Sequence, residues 1–184
     1  MKMIGLDIGH GASNRTSGKY DPGAVAGGVT EADIVLSFGL TCKHILTQAG
    51  FDVWLSRDDD RDANPISTRD ERAERAGCDI LISLHCNAGG SAASGTETFY
   101  RDGADKALAE KVQRACLVAM GGKNRGVKHE SLTQHPRLAV MDFDKACALL
   151  EIGFVTNARD RAKMLSRDTR IAFAEALVAE LRTK

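Results

Sequence analysis

No C-x-x-C pair occurs in this chain. Its five cysteines, Cys42, Cys78, Cys86, Cys116 and Cys147, are scattered and odd in number, so the sequence implies neither a disulfide framework nor a cysteine zinc site. They read as small buried hydrophobes in a reducing cytoplasm. Net charge is missing too: 25 basic residues face 25 acidic ones, and no global field draws the molecule to nucleic acid or an anionic membrane. No apolar run approaches the roughly 18 residues that span a bilayer. Met1-Lys2-Met3 leads into a strand-like segment without the apolar stretch of an export signal. Internal repeats and low-complexity linkers are also lacking. With 43% hydrophobic and 27% charged residues interspersed over 184 positions, the chain is expected to form one domain, 1–184, large enough to bury a continuous core.

What is there is an alternation of short apolar runs with amphipathic ones, the pattern of an α/β domain whose sheet carries helices on its faces. Ile4 to Ile8 reads as a first strand, after which Gly9, Gly11, Gly18, Pro22, Gly23, Gly27 and Gly28 mark a loop long enough to suggest function. Thr30 with Asp33 resembles a capping box opening a helix that Gly50 stops. Asp52 to Arg57 is predicted as a strand, Ser67 as the cap of a helix through Ala76, and Asp79 to His85 as a buried central strand. Gly95 to Tyr100 follows as a strand and Ala104 to Met120 as a helix. Gly126 to Glu130, Leu138 to Phe143 and Cys147 to Ile152 are predicted as short strands. Asn157 caps a short helix, and Asp168 opens a last one with an apolar stripe.

Two histidines fall at predicted strand ends. His10 follows the first strand between two glycines, and His85 closes the central one, so both imidazoles project where open α/β sheets bind ligands. Glu31 begins the helix after the long loop, a position the helix dipole also favours for a carboxylate. Two imidazoles and one carboxylate form a known catalytic zinc set that leaves a fourth position for water, and such an ion makes a nucleophile available near neutral pH. An amide nitrogen leaves poorly unless protonated, which calls for a second carboxylate. Glu151, a charged residue where the run Ala146 to Leu150 meets a turn, is the candidate, with an arginine salt bridge as its alternative use. Asn87 follows His85 closely, and Glu97 on its strand could support the metal ligands. His129 and His135 could touch substrate, whereas His44 inside a helix reads as structural or solvated. Arg15, Arg57, Arg101 and Arg125 could each meet a substrate carboxylate.

In order along the chain stand LDIGHG, DPGA, Gly28-Val29-Thr30-Glu31, SRD at 56–58, RDERAERAGCDILISLHCNA at 69–88, GTETFY, RGVK and LLEIGFVTN. Together they resemble the zinc-dependent N-acetylmuramoyl-L-alanine amidases of the type-3 family over nearly the whole sequence. The resemblance implies an open, mostly parallel six-stranded sheet flanked by helices on both faces. It matches His10, Glu31 and His85 to the ligands of one zinc ion per chain and Glu151 to the catalytic glutamate. The substrate it implies is the bond between the lactyl group of N-acetylmuramic acid and L-alanine in peptidoglycan. Ile8 stands where the family usually has proline and Glu74 where asparagine is common; neither is a candidate ligand. A bare catalytic domain without an export signal is similar to a phage endolysin, made in the cytoplasm and acting on the wall after release; export with a signal outside this chain is the alternative. Peptidoglycan is thus the expected partner, with no nucleic acid, no membrane insertion and a monomeric protein. Two other readings stand beside this one. Glu97 and Glu151 could act as a metal-free pair on a glycan, or the zinc site could serve a non-catalytic wall-binding module.

Overall fold

The computed structural model describes residues 2–134 and 137–183; the predicted substrate contact His135 lies outside them. In chain order the elements are β1 (Met3–Ile8), β2 (Gly11–Ala12), β3 (Tyr20–Asp21), β4 (Val25–Ala26), β5 (Val29–Thr30), α1 (Glu31–Gln48), β6 (Asp52–Leu55) and α2 (Arg69–Arg75). They continue with β7 (Ile80–Asn87), β8 (Thr96–Tyr100), α3 (Gly103–Met120), β9 (Asn124–His129), β10 (Cys147–Phe154), α4 (Ala158–Leu165) and α5 (Arg167–Arg182).

Six strands form one sheet in the order β6-β1-β7-β10-β8-β9. The first four run parallel, β8 is antiparallel to β10, and β9 is parallel to β8. The expected α/β architecture with a mostly parallel six-stranded sheet is therefore what the chain adopts. Because successive side chains on a strand point to opposite faces, Ile4, Leu6 and Ile8 share a face with Ile82, Leu84, Leu150 and Ile152, and this face packs against Phe38, Val112 and Phe173 of α1, α3 and α5. The opposite face is thinner. There Leu81, Phe99, Cys147 and Leu149 meet Ala73 of α2 and the segment carrying Val140, Met141 and Phe143.

Two expectations need correction. Leu138 to Phe143 is not a strand: Ala139–Asp142 forms a 3-10 turn. Its apolar side chains lie flat on the sheet's thin face, while Arg101 takes the backbone carbonyls of Leu138 and Met141 that a ladder would have used. Ser67 caps no helix. It sits inside a 3-10 turn, Ile66–Thr68, that leads directly into α2. By contrast Thr30 does cap α1, its Oγ1 accepting from the Asp33 amide at 3.1 Å. The long loop also has more order than its glycines suggest, for β2 pairs with β3 and β4 with β5. Among the described residues no helix is long and apolar enough to cross a membrane.

Candidate metal centre

Strand parity places Asp7, Ser83, His85 and Glu151 on the thin face, the last two in the carboxyl-terminal halves of β7 and β10. His85 and Glu151 are direct register partners on neighbouring strands, and Glu151 pairs in turn with Glu97 on β8. A cleft of about 530 Å³ opens there, lined by His10, Glu31, His85, Asn87, Glu97, Arg125 and Glu151 among others.

Three donors converge in it. His10 Nε2 and His85 Nδ1 each lie 3.0 Å from Glu31 Oε1, and the ligand atoms of the three residues all fall within 4.8 Å of one another. Glu31 is buried at the first turn of α1. Its Oε1 also accepts from the Cys86 amide at 2.8 Å, and Oε2 from the Ala24 amide at 3.0 Å. Burial works against this carboxylate's charge, but the hydrogen bonds from His10 and His85 outweigh it and hold the carboxyl well below its usual range. Two imidazole nitrogens and an ionised carboxylate oxygen, from three distant chain segments and facing an open cleft, are the donor chemistry a catalytic zinc ion takes; the residues fit that ion.

The backbone here is specialised. His10 itself has φ +59°, a left-handed conformation that non-glycine residues adopt at some cost. Gly23 at φ +65° passes so close that a Cβ would stand 2.6 Å from Glu31 Oε2 and 2.8 Å from His10 Cδ2, so only glycine fits between the two ligands. Two buried arginines secure the turn. Arg57 donates to the carbonyls of Gly9 at 3.0 Å and Ala32 at 2.8 Å. Arg69 reaches Asp7 at 3.2 Å and Asn14 Oδ1 at 2.7 Å.

Asp21, which sequence reasoning passed over, lies behind His10. Its Oδ2 is 3.2 Å from His10 Nδ1, close enough for charge pairing but without the alignment of a directed hydrogen bond, and it also accepts from the Asn14 amide group. Burial opposes its charge, yet the Gly23 amide, Asn14 and His10 bring the carboxyl down to about 2. A carboxylate so close to Nδ1 favours a proton on that nitrogen and leaves Nε2 free to face Glu31 and a metal ion. Asp21→Ala is expected to weaken metal binding roughly 10- to 100-fold, measured by competition with a chromophoric chelator; unchanged affinity would mean that His10 is oriented without it. The hint in the sequence was the DPGA segment, cited there only among the segments that carry the family resemblance.

Glu151 is half-buried, but its Oε2 is occluded and has no hydrogen-bond partner among the described residues. Burial, and then the charges of Glu31 and Glu97, push its carboxyl well above the ordinary glutamate range. The arginine salt bridge considered as its alternative use is not formed among the described residues. Glu97 is buried too, and its charge is opposed by burial but rescued by Lys128 and Arg125; Asn87 donates to its other oxygen. The remaining candidates separate. Arg15 sits exposed at the cleft, 3.5 Å from Asp21. Arg57 is buried beneath the His10 turn, and Arg101 is tied to Glu130, Asp142 and two carbonyls, so neither meets a ligand in the cleft. His129 caps a 3-10 turn and packs edge-on against Tyr100, and His44 is exposed on α1.

Fold and side chains together define an α/β protein with a three-donor candidate metal centre at its strand ends. The chain belongs to the N-acetylmuramoyl-L-alanine amidase family Amidase_3, which matches residues 4–183. It is 30% identical to the N-acetylmuramoyl-L-alanine amidase LytC of Bacillus subtilis over 169 residues, covering 89% of this chain and 31% of LytC. The endolysin of Bacillus phage SPP1 is 31% identical, with 91% of this chain and 60% of the endolysin covered. The chain thus spans about a third of the first and under two thirds of the second. Among solved structures, the catalytic domain of CwlV, an N-acetylmuramoyl-L-alanine amidase from Bacillus (Paenibacillus) polymyxa, superposes with a TM-score of 0.84 at 29% identity, covering 98% and 96% of the two chains.

Proposed function

We propose that this protein hydrolyses the amide bond between N-acetylmuramic acid and L-alanine in peptidoglycan, as a monomeric catalytic domain over 1–184 carrying one zinc ion. The convergence of His10 Nε2, Glu31 Oε1 and His85 Nδ1 beside Glu151 carries the proposal. Membership of the family and the likeness to LytC and the SPP1 endolysin support the substrate. The partner is wall material, with no nucleic acid and no membrane insertion. Action from outside the cell, after release or export, suits such a substrate.

His10, Glu31 and His85 would hold the ion, which when bound supplies Lewis acidity toward the scissile carbonyl and a nucleophile at neutral pH. Asp21 sets the His10 ring. Glu151 handles protons: its occluded, unpartnered Oε2 is the atom that takes a proton and returns it to the departing nitrogen of alanine. Burial, and then the charges of Glu31 and Glu97, raise the affinity of this carboxyl for a proton, which favours the transfer that loads it before the proton is returned to the leaving nitrogen. The apolar thin-face wall of Leu138, Val140 and Leu149 keeps water from one side of the cleft.

Mass spectrometry of digested walls, together with metal analysis, tests this. About one zinc per chain, new L-alanine amino termini without reducing sugar ends, and loss of both products and activity with a chelator are expected. Reducing ends formed in the presence of chelator would replace this reading by a Glu97–Glu151 glycan hydrolase. That alternative asks Glu97 to act freely, whereas its oxygens are engaged by Asn87, Arg125 and Lys128. Wall binding with no product of either kind would leave a non-catalytic module.

A further inference from the structure

We propose that Arg125 is a specificity-determining residue that takes a carboxylate of the stem peptide two residues beyond the scissile amide; this rests on the amidase reading. Its place in the sheet is irregular. Thr96 pairs with Asn124 and Glu97 with Gly126, so Arg125 is an extra residue between two regular pairs. Such bulges re-aim a side chain and occur beside active sites. Gly126 supplies the φ of +87° that the turn-back requires.

The guanidinium so placed is fixed. Its Cζ lies 4.9 Å from the centre of the Phe154 ring, Nε donates to Glu97 Oε2 at 3.0 Å, and Nη1 lies 3.5 Å from the Ser94 carbonyl. Nη2 has no hydrogen-bond partner among the described residues, and both Arg125 and Phe154 line the cleft. Lys128 also binds Glu97, so two cations share one carboxylate and a positive charge is left over. A preorganised, planar cation with a spare donor suits a carboxylate, which it binds with little further loss of side-chain freedom. Of the other arginines lining the cleft, Arg69 is buried and engaged by Asp7 and Asn14, and Arg15 is exposed and directed to Asp21, so neither offers a comparable free fork.

Distance selects which carboxylate. From Glu151 the register crosses to Glu97 and then to Gly126, two strand spacings, or roughly 10 Å. An extended dipeptide covers roughly 7 Å, and the short arm of an acidic group supplies the rest. The α-carboxylate of the second stem residue, a glutamyl unit linked through its side chain, falls in that range.

The test is calorimetric binding of L-alanyl-γ-D-glutamyl-L-lysine, and of the same peptide with that α-carboxylate converted to an amide, to the zinc-loaded protein. Wild type is expected to favour the acid by about tenfold or more. Arg125→Gln should lose that preference while leaving the amide's affinity in place, and Arg125→Lys, which keeps the charge beside Glu97, should retain part of it. Equal affinity of wild type for acid and amide, binding of neither, or an equal loss on both peptides in Arg125→Gln would overturn the proposal. Wall digestion is scored separately, so failure of the amidase reading would be recognised by itself.

Discussion

Glu151→Gln is expected to lower turnover on peptidoglycan roughly a hundred- to ten-thousandfold, the usual contribution of a positioned proton-transfer group, while zinc content and folding stay near those of the wild type. Glutamine keeps the shape of the side chain and carries no charge. The native carboxyl is itself pushed toward its uncharged form by burial and by Glu31 and Glu97, so the substitution adds no new buried charge and removes little stabilising attraction. What it does remove is the capacity of Oε2 to accept and return a proton. Steady-state kinetics on purified walls, paired with metal analysis of the same sample, separates the two effects. Wild-type turnover in the variant would mean that another group carries the proton, and a fall that tracked zinc loss would mean that Glu151 acts through the metal site's structure instead.

Arg69→Leu is expected to cost roughly 3–5 kcal/mol of folding stability, the range for breaking a buried ion pair from one side. Both Arg69 and Asp7 are almost wholly inaccessible. Burial alone would raise the Asp7 carboxyl, but Arg69, with Ser83 and further neighbours, reverses this and holds it below its ordinary 3.8. Without the guanidinium, a buried carboxylate must stay charged and unpaired or take up a proton. The pH dependence follows from these signs. A depressed carboxyl stabilises the wild type above the unfolded value of 3.8 and ceases to do so as pH falls through its lower native value. In the variant the opposition of Arg69 to burial is gone, so the native carboxyl is expected to rise and the penalty to grow as pH rises. The stability gap, read from chemical denaturation, should therefore be wide at neutral pH and narrow below about 4. A gap that did not change with pH would show that lost packing and lost hydrogen bonds to Asn14 and Asn64, not the orphaned charge, dominate. Replacing Asp7 and Arg69 together by apolar residues should recover part of the loss.

The two substitutions probe opposite ends of what could be read in advance. Glu151 was visible as a charge closing an apolar run, because a buried strand tolerates few carboxylates. The Asp7–Arg69 pair was not, since the partners stand 62 residues apart and nothing in either's neighbours announces the other. Asp21 stands only 11 residues from His10, but the β2–β3 pairing that brings it behind the imidazole is a property of the folded loop. Arg57 and Arg101 looked as available to a ligand as Arg125 did; burial under the His10 turn and capture by Glu130 and Asp142 set them apart.

Local pattern by itself determined the α/β class, most of the strands and long helices, and the location of His10 and Glu31 at element ends, because periodicity and turn chemistry are properties of neighbouring residues; the central strand runs on past His85 to Asn87. It misjudged Leu138 to Phe143, where a short apolar run carries no period that separates a strand from a turn lying on the sheet. Tertiary structure alone decided that Glu151 stands beside His85, that Asp21 backs His10, and that a bulge turns Arg125 into the cleft. Strand register and the pairing of charges across strands and loops are fixed by which faces become buried together, which local periodicity does not record.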